Sequence, residues 1–132
     1  MKTMILALAA LTLSSAAALA DPAEGRWSTQ PDDNGNTGII EITLCTDGVR
    51  LCGTLIESHQ GDGSVFESPN VGRRIVWDME PEGDGAYSNG QVWAPDRDKT
   101  YSSHMTLSGN SLSVSGCVLR VFCRSQEWTR AQ

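Results

Sequence analysis

The sequence predicts an all-β fold, a small antiparallel up-and-down β-barrel, and three observations point to it. Turn-forming clusters recur at short intervals: Asp32-Asp33-Asn34-Gly35-Asn36, Asp47-Gly48, Gly61-Asp62-Gly63, Glu82-Gly83-Asp84-Gly85 and Ser108-Gly109-Asn110. The runs between them alternate apolar and polar residues, as half-buried strands do. No stretch of ten or more residues carries a helical apolar period. Tight turns between successive strands favour a meander, which closes most simply as a barrel, whereas a Greek-key sandwich needs a long connection. His59 to Gly72 is the only candidate for one.

The chain opens with Lys2, an apolar run from Met4, and the small-residue end Ala18-Leu19-Ala20 before Asp21-Pro22. Residues 1–20 read as a secretory signal peptide cut after Ala20, its apolar core being short and rich in Ala and Ser. The remainder, 21–132, is expected to be one exported domain, periplasmic or secreted. A domain of that size buries roughly 60–68% of its unfolded surface, a thin margin for stability. Without Lys2 it carries nine basic side chains against sixteen acidic ones, about −7, compared with −6 for the whole chain. This acidic balance argues against nucleic acid or anionic membranes as partners, and no later run is apolar enough to span a bilayer. Arg73-Arg74 is the only adjacent basic pair.

Ile40, Ile42 and Leu44 alternate with Glu41 and Thr43, and Leu51–Ile56, Arg73–Met79, Tyr87–Trp93, Thr100–Leu107, Leu112–Val118 and Gln126–Arg130 follow. Pro95, with no N–H, stops one strand at Trp93-Ala94, and the charged turn through Lys99 leads into the next. Inward candidates are Ile40, Ile42, Leu51, Leu55, Ile75, Trp77, Met105, Leu107, Leu112 and Val114. Asn89, Ser103, Ser113 and Ser115 suggest a partly polar lining.

Cys45, Cys52, Cys117 and Cys123 lie in the exported part, where an oxidising compartment would pair them. Of three connectivities, the local pairs Cys45–Cys52 and Cys117–Cys123 are favoured, because each flanks a turn. A zinc site is disfavoured: neither spacing is Cys-x-x-Cys, and both histidines are distant in sequence. Asp32-x-Asn34-x-Asn36 opens like a calcium loop, but Thr37 and Thr43 stand at its sixth and twelfth positions, so a polar hairpin turn is expected. His59 and His104 read as surface histidines. Ser103, His104 and Asp98 do not make a triad, since adjacent strand residues point to opposite faces. The expectation is a protein without enzymatic activity, metal or cofactor.

Gly25-Arg26-Trp27, Cys45, Leu51-Cys52-Gly53, the corner from Gly90 to Tyr101, Leu112 to Gly116-Cys117, and Gln126-Glu127-Trp128-Thr129-Arg130 occur here in an order that resembles the domain-of-unknown-function family twenty-one forty-seven. The resemblance runs from Gly25 to Arg130. It implies a small exported bacterial protein with a lipocalin-like β-barrel, and offers no catalytic residues to carry over. Two departures stand out: Asp98 occupies a position where the family usually has Gly, and the segment around Ser68-Pro69-Asn70 is shorter than in many relatives.

The lipocalin likeness also implies a structural pair. Trp27 on the first strand and an Arg on the last, Arg130 first and Arg124 second, would stack at the closed end of the barrel, a contact worth ~0.5–2 kcal/mol. At the other corner Trp93, Tyr101 and Lys99 are the candidate ligand-binding residues, the rim of a pocket for a small apolar, amphipathic or anionic molecule. The function expected is therefore small-ligand binding in the cell envelope. The competing expectation is a structural or protein-interaction module of the envelope whose barrel core is solid.

Overall fold

The computed structural model describes residues 9–11 and 19–132. Most of the expected signal peptide lies outside the described residues. The described chain forms nine strands: β1 Gly25–Ser28, β2 Thr37–Leu44, β3 Leu51–His59, β4 Val65–Phe66, β5 Arg74–Gly83, β6 Ala86–Ala94, β7 Lys99–Ser108, β8 Ser111–Val118 and β9 Phe122–Arg130. Every pairing is antiparallel. β1, β2, β3, β5, β6, β7, β8 and β9 follow one another round the sheet and β9 returns to β1, closing an eight-stranded meander barrel. β4 is a two-residue addition to β3 inside the long connection. Among the described residues no helix is long and apolar enough to cross a membrane.

Alternation explains the core. Ile40 and Ile42 of β2, Leu51 and Leu55 of β3, Val76 and Met79 of β5, Met105 of β7, Leu112 and Val114 of β8, and Trp27 and Trp128 at the chain ends form one buried cluster. At Gly90 of β6 the packing is so close that a Cβ would collide with the Met79 sulfur and the Trp77 carbonyl. The inward readings of Ile40, Ile42, Leu51, Leu55, Ile75, Met105, Leu112 and Val114 match their burial. Trp77 does not follow them. Val76 pairs with Val92 and is fully buried, so Trp77, opposite Gln91, stands on the other face and is only half-buried.

The expected polar lining also shrinks. Ser103, opposite Gly90 and Gly116, is buried on the core face. Ser113 and Ser115 alternate away from buried Val114, and the Ser115 hydroxyl meets that of Ser125 at 2.6 Å. Asn89 sits at φ 57 in a register irregularity and donates to Glu80, outside. Period-two counting fails there because a bulge shifts every residue beyond it to the other face.

Both local disulfides are formed, Cys45–Cys52 and Cys117–Cys123. Closing such short loops stabilises by about 2–3 kcal/mol each on the loop-entropy account. At the end where β1 begins and β9 finishes, the Arg130 guanidinium lies 4.0 Å from the centre of the Trp27 ring. It also donates to the carbonyls of Glu24 and Pro22, while Trp27 Nε1 donates to the Ala23 carbonyl. Arg124 takes no part in this stack. The Tyr87 hydroxyl completes this closed end by donating to Asp21 at 2.5 Å. Burial, then the Asp21 carboxylate, push the Tyr87 phenol well above its ordinary range.

Candidate functional site

The opposite end of the barrel carries the β6–β7 and β8–β9 turns and the long β3–β5 connection, and here cations and aromatic faces meet. Pro95 ends β6, and the return into β7 requires left-handed backbone at Asp98, φ 47. Asp tolerates that region less well than Gly. Its carboxylate offsets the cost by accepting a 2.9 Å hydrogen bond from Trp93 Nε1, which satisfies an indole N–H on a buried ring. Trp93 is therefore fixed in place.

Above its ring lies Arg73, with the guanidinium carbon 3.5 Å from the centroid, and the neighbouring Arg74 stands 5.6 Å over Trp77. With Thr100 these four side chains line an open cleft of about 240 Å³. Both arginines are exposed, and neither is ion-paired among the described residues. A guanidinium stacked on an indole keeps its N–H donors at the ring edge, aimed outward, and loses little entropy on binding a carboxylate or phosphate. Chemically, the cleft offers the Arg73 guanidinium held on the buried Trp93 ring, an Arg74 guanidinium that also faces the Cys52 sulfur at 3.9 Å, a hydroxyl and the half-buried Trp77 ring.

The three residues singled out from sequence are not assembled on one face. Val92 pairs with Tyr101 and Trp93 with Thr100, so Trp93 and Tyr101 point to opposite sides of the sheet. Tyr101 is half-buried beside Gly116, and Lys99, opposite Ala94, is exposed. Thr100 takes the place beside Trp93 that the linear reading gave to Tyr101. Arg73 and Arg74 were the missed functional candidates. Their signal was present, as the sole adjacent basic pair of an acidic chain, with Arg74 three positions before a tryptophan.

A second, larger depression of about 530 Å³ runs along β6 and β7 to the β8–β9 turn, touching Thr100, Tyr101, His104, Cys117 and Arg120. Here His104 approaches Cys117, Nδ1 to Sγ 3.9 Å, although thirteen positions separate them. Pairing of β7 with β8 produces this proximity, which spacing along the chain could not reveal. His104, Cys117 and Cys123 are close enough to surround an ion. Both sulfurs are spent in a disulfide, however, and thiolates are what bind metals. Ser103 and His104 point to opposite faces and Asp98 is engaged by Trp93, so no triad assembles. Asp32 accepts the backbone N–H groups of Asn34 and Asn36 as a hydrogen-bonded turn. His59 is held by Glu57 and the Gly63 carbonyl.

Comparison with known proteins agrees with the architecture. The chain is similar to "Protein HP1028 from the human pathogen Helicobacter pylori belongs to the lipocalin family", with a TM-score of 0.65 and 17% identity over 83% of this chain and 82% of that one. At that identity the likeness defines the fold, a lipocalin-like barrel. No curated protein matches in sequence. Residues 25–130 match the family model described as "Uncharacterized protein conserved in bacteria (DUF2147)", and the chain belongs to that family.

Proposed function

We propose that this protein binds a small anionic amphiphile in the cell envelope, without catalysis, and that the Trp93 corner does the binding in place of the barrel interior. The observation that carries this reading is the pair of arginines stacked on Trp93 and Trp77 with no ion-pair partner among the described residues. In a chain of net charge −6 such a concentration of positive charge is a local exception, and the rings beneath it suit an apolar tail. Close packing at Gly90 supports moving the site out of the core. Two disulfides are compatible with export. The lipocalin-like fold fits small-ligand carriage, as the mouths of β-barrels often serve as binding sites.

The probe is laurate, with dodecanol as its uncharged counterpart, followed by tryptophan fluorescence and calorimetry on chain 21–132. Laurate is expected to bind, and Arg73→Gln to weaken it roughly tenfold or more, the worth of one charge-assisted hydrogen bond. Equal affinity for dodecanol, or no change in Arg73→Gln and Arg74→Gln, defeats the reading.

A further inference from the structure

The β8–β9 turn is built against the ordinary rules for hairpins. Its sequence is Val118-Leu119-Arg120-Val121-Phe122, between the paired Cys117 and Cys123. Leu119 and Arg120 both have left-handed backbone, φ 55 and 58, where Asn or Gly would sit without strain. Val118 is half exposed, and Leu119, Val121 and Phe122 are 72–80% exposed. Four apolar side chains are thus carried to the tip of a hairpin, in water.

Their surroundings are cationic. From Lys99 to Gln126 the chain holds no Asp or Glu, although it holds sixteen elsewhere. Arg120 and Arg124 flank the tip, and neither is ion-paired among the described residues. The adjoining strand begins at Lys99. The disulfide, directly across the β8–β9 register, holds the protrusion to a fixed shape.

We propose that this tip is a docking element for an anionic lipid surface: Leu119, Val121 and Phe122 enter the headgroup boundary while Arg120 and Arg124 pair with lipid phosphates. Charge separation within the molecule selects this occupant. Apolar side chains framed by arginine match the interface of an anionic bilayer, and the acidic remainder of the chain is repelled from it, which fixes the orientation. Two cations and a few apolar side chains give a reversible, salt-sensitive attachment, not an anchor. Thr100 lines both the depression reaching Arg120 and the Arg73/Arg74 cleft, so the lipid-facing end is also the end with the cleft.

Vesicle flotation tests this on chain 21–132, using phosphatidylcholine alone and phosphatidylcholine mixed with phosphatidylglycerol. Binding is expected only to the anionic vesicles, and Arg120→Gln with Arg124→Gln should weaken it roughly ten- to thirty-fold. Leu119→Ser with Phe122→Ser should abolish it at unchanged far-ultraviolet circular dichroism, since both side chains are exposed in the folded state. Arg50→Gln, in the turn at the other end of the barrel, should leave it intact. No binding to anionic vesicles, or binding indifferent to both pairs of substitutions, overturns the proposal. So does a concentration-dependent dimer that Phe122→Ser dissolves, because the tip would then meet a second copy of this chain.

Discussion

The two disulfide-clamped turns face opposite ends of one barrel and are built on opposite terms. In Cys45–Cys52 Asp47-Gly48 makes the turn: Gly48 takes φ 72 freely, and the Asp47 carboxylate accepts the N–H groups of Val49 and Arg50. Those hydrogen bonds hold the Asp47 carboxyl below its ordinary range. In Cys117–Cys123 the left-handed positions go to Leu119 and Arg120, at a conformational cost of about 1–2 kcal/mol each. No described side chain accepts their backbone N–H groups. One turn gives its left-handed position to a glycine; the other gives two to an apolar and a cationic side chain, where stability would not put them. The two barrel ends repeat the contrast, since Arg130 is consumed by Trp27 and the carbonyls of Glu24 and Pro22, whereas Arg73 has no ion-pair partner among the described residues.

Substitution can break this comparison at several depths. The largest effect is expected at the closed end, where Trp27→Ala removes a fully buried ring and should cost ~3–5 kcal/mol in urea denaturation. Arg73→Gln, on the exposed side of its stack, should cost well under 1 kcal/mol. A loss as large as that of Trp27 would mean that the arginine stack is structural.

The turns should answer a matched pair of changes with opposite sign. Gly48→Ala should destabilise by about 1 kcal/mol, because its φ is unfavourable for Ala. Leu119→Asn should stabilise by about 0.5–1 kcal/mol, because Asn tolerates the left-handed region. Thermal unfolding of both variants measures the difference, and destabilisation by Leu119→Asn would show that the tip supports the fold.

A last effect depends on pH. With the Tyr87 phenol raised in the folded state, its bond to Asp21 contributes in full below the free phenol value of about 10 and fades as pH rises through the folded value. Tyr87→Phe should therefore cost about 1–2 kcal/mol at neutral pH and lose that deficit at strongly alkaline pH. A pH-independent deficit would assign Tyr87 to packing.

Much of the barrel was legible in the chain because turn chemistry and alternation are local. The hairpins at Asp47-Gly48 and Ser108-Gly109-Asn110, the stop at Pro95 and both disulfide pairs follow from neighbours in sequence. The Trp27–Arg130 stack came through family resemblance and not through pattern. What escaped was two-dimensional. Trp93 and Tyr101 looked like partners because both are large and amphipathic, but register sends them to opposite faces. β9 begins at Phe122, four residues before the expected Gln126, because its first half is exposed and carries no buried alternation. β4 is too short to leave a periodic signal.

The seam between β1 and β9 carries a consequence for how the barrel forms. Only two register pairs join these strands, Trp27 with Arg130 and Ser28 with Thr129, while β8 and β9 share eight. Every other junction links strands adjacent along the barrel's meander and can zip from a nearby turn, so a curled ribbon precedes the closed cylinder. Joining its rims requires bringing residues about a hundred positions apart together, the single large loop-closure entropy in the topology. Amides along the Trp27–Ser28 rim should therefore gain hydrogen-exchange protection last during refolding and release it first under native conditions.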